Sequence, residues 1–357
     1  MRKTVKGKET NNDKLITESI DWYAKNRGLY KQLCDKVHNI TSELLEIKSI
    51  DIHAIFSRAK EIESFAEKIE DSKYSDPINQ ITDLAGIRVI CYVDNDIKKI
   101  CKVIEENFDI DKPNSTDKSK LLGTDKVGYK SVHYVAKLSN QRLSLPEYQK
   151  FADCKFEIQI RTILQHAWAE IEHDRNYKFS GELPDEIQRR FKLLAGTLEL
   201  VDMEFDSIAK EIDKINIEVT KGTKSGKLDF EINTTTLKQY LITKFEELIP
   251  KFIEPNLSSP EAEIEILKEI KDFGLNNLSE LNKIIPPDFI EKYKANSVSI
   301  SNFLGLLRIL MICVDWENYF ENAFKNNWTA RSLGHRRDKI LSVYNVPLDL
   351  IYEKYGD

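Results

Sequence analysis

The chain has 357 residues, enough to bury two hydrophobic cores, and 31% of them are charged. A net charge of -6 excludes a protein that coats nucleic acid through bulk charge, so any phosphate binding must be local. The five cysteines are widely spread and form no C-x-x-C pair, which argues against a disulfide frame or a cysteine zinc site and fits reduced thiols in a cytoplasmic protein.

Residues 1–14 are polar, carry no apolar signal core and read as a frayed tail. Leu15 to Ile47 predicts a helix, with Leu33, Val37, Ile40, Leu44 and Ile47 repeating at steps of four and three and Gly28 as a point of bending or breakage. Ile52 to Ile69 predicts a second helix, capped by Asp51. On it Lys60, Ser64 and Lys68 share one face and Arg58 lies near the same turn, either as a phosphate-facing set or as a solvated basic face interleaved with Glu61, Glu63 and Glu67.

From Ile81 to Val93 a carboxylate, Asp83, and an Ala85-Gly86 turn lead into a strand with Arg88, Ile90 and Tyr92 on one face. An Asp at the mouth of such a strand suits a metal-bound phosphate or an ordinary turn. Ile97 to Phe108 predicts a helix, and the lysine-rich stretch Asp109 to Lys126 a long loop. It ends in V-G-Y-K-S-V-H-Y-V-A, a strand that puts Tyr129, Ser131 and His133 on one face, next to Lys130, as a pocket wall would. Cys154 to Lys178 is the densest stretch. Its first half alternates, with Glu157, Gln159 and Arg161 opposite Phe156, Ile158 and Ile160; its second half puts His166, Glu170 and His173 at helical spacing.

The helix from Pro184 carries an apolar seam, Ile187, Phe191, Leu194, Leu198, Val201, Phe205, Ile208, Ile212 and Ile215. Two partners suit it, the N-terminal helix of the same chain or a second copy. Residues 220–229 read as a linker between a first domain, 15–219, and a helical one, 230–357, of regulatory or partner-binding character. In the latter, Phe303 to Val314 is apolar, interrupted by Arg308, and too short for a membrane span of about 20 residues. Trp316, Tyr319, Phe320, Phe324 and Trp328 read as core. Arg331, His335, Arg336 and Arg337 form a basic cluster, a solvated helix end or a contact for tRNA or a regulatory nucleotide.

Five motifs in order, R-A-K-x-x-x-S-x-x-x-K (Arg58 to Lys68), D-L-A-G-I-R (Asp83 to Arg88), G-Y-K-S-V-H (Gly128 to His133), E-I-Q-I-R-T (Glu157 to Thr162) and H-A-W-A-E-I-E-H-x-x-x-Y-K (His166 to Lys178), together resemble the RelA/SpoT-type alarmone synthetase domain. The resemblance implies an α/β (α+β) nucleotidyltransferase-like mixed β-sheet flanked by helices, followed here by a mostly α-helical C-terminal domain. It implies transfer of the β,γ-pyrophosphate of ATP to the 3′-hydroxyl of GTP or GDP. Asp83 and Glu157 would hold Mg²⁺, with Glu157 also the general base. Arg58 and Arg88 would stack on adenine, and Lys60, Ser64 and Arg161 would meet the donor phosphates. Tyr129 would stack on the acceptor base, with Lys130, His133, Gln159 and His166 around the acceptor.

Where the family often carries a polar residue before the G-Y pair this chain has Val127, which neither donates nor accepts a hydrogen bond. The acceptor therefore stays open among a guanine nucleotide, an adenine nucleotide and the 3′ end of tRNA. The last two describe a toxic synthetase restrained by its C-terminal domain or by an antitoxin partner. A pseudosynthetase that only binds nucleotides is disfavoured, because both carboxylates and the donor-side basic residues are present. The metal-dependent hydrolase domain of the long synthetases is expected to be absent, leaving an enzyme that makes its product without degrading it.

Overall fold

The computed structural model describes residues 11–70, 74–117, 131–178, 184–297, 300–324 and 335–356, and the chain divides into two compact units, Met1–Ala209 and Lys210–Asp357. The first unit is built on a mixed sheet with strand order β1-β2-β6-β5-β3, β4 pairing with β5 off that path. The strands are β1 (Ile52–Ala59), β2 (Ala85–Cys91), β3 (Phe108–Ile110), β4 (Thr116–Asp117), β5 (Val132–Leu138) and β6 (Phe156–Thr162). Among the described strands of this sheet β2 and β6 pair parallel and the other pairings are antiparallel.

Period-2 patterning sorts the two faces of this sheet. Ile87, Val89, Ile158 and Ile160 are fully buried, whereas Gly86, Arg88, Glu157 and Gln159, one residue out of step, are half-buried on the other face. The apolar face packs under helix α1 (Asn11–Ile47) and helix α3 (Asp94–Asn107), which contribute Tyr23, Leu33 and Val37, and Ile100 and Ile104, to the core. Burying each such aliphatic side chain stabilises the unit by about 1.5–3 kcal/mol. Helix α1 begins at Asn11, within the expected tail, and passes Gly28 unbroken.

Two stretches of the sheet differ from expectation, the first being Asp109 to Lys126, expected as a loop, which supplies most of β3 and all of β4 because both pair with β5. The second, Ile52 to Ile69, is not a helix but strand β1, followed by the short helix α2 (Ile62–Glu70). Antiparallel pairing with β2, from Ile52↔Cys91 to Ala59↔Ala85, satisfies the backbone of this segment, and that non-local ladder outweighs the helix-like spacing of its isoleucines. Arg58 therefore ends a strand, Lys60 lies in the turn, and only Ser64 and Lys68 sit on a helix.

Helix α4 (Ile163–Lys178) follows β6 directly, as expected, and helix α5 (Asp185–Ser225) runs for 41 residues. Helix continues through Thr220–Ser225, most of the segment read as the start of a linker. The seam of α5 is not packed on the N-terminal helix: Leu194, Val201, Phe205, Ile208, Ile212 and Ile215 are exposed. The helix docks by a different line, burying Ala195 and Asp202, because Asp202 accepts a 2.7 Å hydrogen bond from Thr162 and Asp206 accepts one of 2.9 Å from the Asn95 backbone.

The second unit is helical apart from a two-stranded parallel pairing of Ile253–Glu254 with Ser301–Asn302. Several of its helices start at well-formed caps: Asn233 and Asn277 make capping boxes with Thr236 and Glu280, and Ser259 caps a helix with Pro260 in its first turn. Tyr240, Phe245, Phe289, Phe303, Leu306 and Leu310 lie in its core, and Tyr319 and Phe320 join them as read from sequence. Trp328 and Arg331 lie outside the described residues. Arg308, which interrupts the apolar run, is buried and ion-paired: its Nε is 3.1 and 3.0 Å from the two oxygens of Glu269, and it also meets Glu265. No helix among the described residues is long and apolar enough to cross a membrane.

Candidate functional site

The register brings the candidate residues into rows across the half-polar face of the sheet. Arg58 pairs with Gly86 and Gly86 with Glu157; two residues along, Phe56 pairs with Arg88, Arg88 with Gln159, and Gln159 with His133. Directly paired residues point to the same face, so two arginines, a carboxylate, an amide and an imidazole converge although they come from four strands. They surround a cavity of about 180 Å³ lined by Phe56, Arg58, Lys60, Asp83, Gly86, Arg88, Glu157 and Gln159, with Ser57 and Ile87.

Asp83 stands at the mouth of β2. Its Oδ2 accepts hydrogen bonds of 2.9 Å from both Lys60 and Lys68. Burial pushes the Asp83 pKa up, but the two ammonium groups overcome it and hold the carboxyl below its usual range. Its Oδ1 is buried and makes no hydrogen bond. The backbone of Lys60 is pinned from both sides: its N–H donates to Leu84, 2.9 Å, and its carbonyl accepts from the Tyr23 hydroxyl at 2.7 Å and Arg27 Nε at 3.0 Å, both from α1.

Glu157, the first polar residue of β6, lies with Oε1 2.6 Å from His133 Nδ1 and accepts a 3.3 Å bond from Gln159. Burial raises its pKa, and His133 and Gln159 outweigh that despite the opposing charge of Asp83, so it too stays ionised. His133 Nε2 is buried without a hydrogen bond. His133 also lines a second, larger cavity of about 940 Å³ at the β3–β5 edge, with Lys98, Lys102, Lys112, Asp117 and Ser131 among its walls. The His133–Glu157 contact thus lies between two cavities.

The other candidates fall into place around these two carboxylates. Arg88 is paired with Glu170 of α4 at 2.6 Å, and His166, one turn earlier, is 3.7 Å from the same carboxylate. Burial, then the charge of Arg88, pushes the His166 pKa down, so its ring is neutral at neutral pH. Arg161 is buried, its guanidinium hydrogen-bonded to Gln159 along the strand. Ser64 is exposed on α2, one turn before Lys68. Tyr129 and Lys130 lie outside the described residues.

Sequence reasoning placed Lys68 on a candidate phosphate-facing line and Glu170 on the face of His166 without giving either a role in the site, and it missed Phe56. Glu170 sits four residues after His166 on the same helix face, a spacing that signals contact. Phe56, half-exposed with its ring 6.1 Å from that of His166, becomes visible only once β1 is known to be a strand, since it then shares a face with Arg58.

A divalent cation fits the two carboxylates. Both stay ionised, an oxygen of Asp83 is unused, and among the described residues no group of three or more His, Cys, Asp or Glu side chains forms a closed metal cage. Two protein carboxylates with room for phosphate oxygens and water is the donor set Mg²⁺ takes in nucleotide sites.

Comparison with known proteins adds the following. The family model described as "Region found in RelA / SpoT proteins" matches residues 57–182. The chain is similar to GTP pyrophosphokinase YwaC of Bacillus subtilis, 30% identical over 162 residues, which is 44% of this chain and 73% of YwaC. It is similar to GTP pyrophosphokinase YjbM of the same organism, 27% identical over 176 residues, covering 48% of this chain and 79% of YjbM. The crystal structure of small alarmone synthetase 1 from Bacillus subtilis is 25% identical, with a TM-score of 0.46 over 54% of this chain and 99% of that one.

Proposed function

The chain belongs to the RelA/SpoT family of alarmone-synthesising pyrophosphotransferases, and from that premise we propose that it transfers the β,γ-pyrophosphate of ATP to the 3′-hydroxyl of GTP or GDP. The observation that carries this reading is the pair of ionised carboxylates, Asp83 and Glu157, on one cavity bordered by Arg58, Lys60 and Arg88. A donor carrying several phosphate charges needs that mixture: cations for its oxygens and carboxylates for its metal.

Mg²⁺ held by Asp83 Oδ1 and Glu157 would neutralise donor phosphate oxygens. The chain's own groups do the rest. Lys60 and Lys68 fix Asp83, and Lys60, Arg58, Ser64 and Arg161 bind or orient the donor phosphates. Arg88 and Arg58 stack on the adenine, with Arg88 first leaving Glu170. Glu157 takes the proton from the acceptor 3′-hydroxyl; the O3′–Pβ bond forms, the bond from Pβ to the oxygen bridging to Pα breaks, and AMP leaves. Gln159 holds the Glu157 carboxylate in its orientation, and His133 does so from the acceptor side. Tyr129 and Lys130 receive the acceptor base and phosphates together with His166. Positioning and electrostatics account for such a reaction without a covalent intermediate.

The test incubates the purified protein with γ-labelled ATP and Mg²⁺ and, separately, GDP, GTP, AMP or bulk tRNA. Label on a guanine nucleotide supports the proposal. Label on an adenine nucleotide or on tRNA keeps the donor chemistry and replaces the acceptor, and Tyr129→Ala should raise the acceptor KM well above its effect on ATP. No transfer to any acceptor overturns the proposal.

A further inference from the structure

The second unit carries a cation that its fold leaves without a counter-ion. Arg337, on the helix His335–Val343, is half-buried, and among the described residues it makes no ion pair and no hydrogen bond. Burial pushes its pKa down; the Tyr293 hydroxyl opposes this, and the charge of Arg308 adds to it. The carboxylates of Glu265 and Glu269 are both engaged by Arg308.

Three features meet the guanidinium. It lies against the first turn of the helix Phe303–Asn318, the end at which the helix dipole is positive. A Cβ at position 305 would stand 3.2 Å from Arg337 Nη2 and 2.4 Å from Ser301 Oγ, so Gly305 lets both groups approach the helix at one point. Ser301 is 9% exposed, and its Oγ is closed off from solvent and makes no hydrogen bond. The Tyr293 hydroxyl lies near both: Ser301 and the charge of Arg337 lower its pKa against the larger effect of burial. The cap of the helix is separate from this cluster, since Asn302 Oδ1 accepts from the Gly305 N–H and the Asn256 carbonyl accepts from the Phe303 N–H, both at 2.9 Å.

A cation at the positive end of a helix opposes the dipole, and a desolvated guanidinium beside an unused hydroxyl offers donors with nothing to receive them. We propose that the second unit binds a phosphate group at this point, held by the Arg337 fork and the Ser301 hydroxyl against the first turn of Phe303–Asn318. The open part of Arg337 gives it access. A tetrahedral oxyanion suits the cluster better than a flat carboxylate, because it can turn separate oxygens to the guanidinium, to Ser301 and to Tyr293. Free phosphate and the phosphate of a nucleotide share this chemistry. The site lies in the unit that does not hold Asp83 and Glu157, and it stands whether or not the transfer reaction does.

Titration calorimetry of the full chain in phosphate-free buffer tests this, with inorganic phosphate, AMP and GMP as separate probes. Arg58→Ala with Lys60→Ala in the background silences the first unit's cavity, and circular dichroism checks that each variant is folded. The expected result is one binding site, weakened about 10-fold or more by Arg337→Met and about 3- to 10-fold by Ser301→Ala. Arg337→Lys, which keeps the charge without the fork, should fall between the parent and Arg337→Met. Tighter binding of a nucleotide than of inorganic phosphate makes the ligand a nucleotide, and equal binding makes it the phosphate group alone; either supports the site. Without phosphate, Arg337→Met should leave the thermal midpoint unchanged or raise it, because it removes an unpaired desolvated charge; added phosphate should then stabilise the parent and not the variant. No binding of any probe, binding indifferent to Arg337→Met, or a midpoint lowered equally with and without phosphate overturns the proposal.

Discussion

An ion cluster in the first unit and one in the second use the same kinds of residue to opposite ends. In the second unit Glu269 is fully buried and both its oxygens are occupied, by Arg308 and by the Tyr319 hydroxyl at 2.8 Å. In the first unit Asp83 and His133 each keep a buried polar atom with no hydrogen bond, and both atoms belong to residues that line cavities. A closed cluster fixes helices to one another. An open one retains the capacity to bind, because desolvated atoms without partners gain most from a ligand that supplies them. Charge and burial alone do not separate a site from a structural ion pair; an unused polar atom on a residue that lines a cavity does.

Breaking the open cluster should therefore cost activity and breaking the closed one stability. The largest effect expected is on transfer: Asp83→Asn and Glu157→Gln should each lower kcat by about 10³-fold or more, with the circular dichroism spectrum unchanged. Retained activity in either variant would remove these carboxylates from the chemistry. Next, Glu269→Ala takes from Arg308 its fully buried partner while leaving Glu265, and should destabilise the second unit by up to about 3 kcal/mol, read as a lower denaturation midpoint. An unchanged midpoint would mean that the pair does not hold the helices together. His133→Ala removes one of the groups orienting Glu157 and should lower kcat by about 10- to 100-fold; an effect on KM alone would confine His133 to binding.

The smaller effects sharpen the same contrast. Asp83 and Glu157 have pKa values below the ordinary ones, so the folded protein binds these protons less tightly than the unfolded chain does. Their stabilising effect is complete above the unfolded values, about 3.9 and 4.3, and is lost as the pH falls through the lower folded values. Asp83→Asn should thus flatten the acid limb of the stability curve below about pH 4 and leave it parallel to the parent between about pH 6 and 8. Last, Glu170→Gln frees Arg88 from a partly exposed pair and should lower the ATP KM by up to about fivefold. A raised KM would show that Glu170 positions Arg88 rather than competing for it.

How much of this was legible in the chain depended on distance along it. β2, β6 and the helices after them write their periodicity locally, and Asp83, Arg88, Glu157 and Gln159 could be named from alternation and motif spacing. β1 could not, because Ile52, Ile55, Ile62 and Ile69 fall at helix-compatible intervals and the strand exists by virtue of β2, with a register irregularity between Ile52 and Ala54. Phe56 was lost with it. Tyr23, which pins Lys60 from α1, leaves no local signal at all. Arg308 was visible only as an interruption, since its partners Glu265 and Glu269 lie on another helix. The seam of α5 was read correctly as apolar, but sequence does not say which line of a helix its own fold will claim.

The parallel pairing of β2 with β6 has a consequence in time. The strand that supplies Glu157 is the last of the sheet to be synthesised, yet it occupies the middle, between β2 and β5. A growing chain that has emerged past His133 still lacks the partner of both neighbouring strands and has one of the two carboxylates. Catalytic power should arrive in a single step with the insertion of that strand, so that a ribosome carries an inert chain until about residue 162 is free to fold.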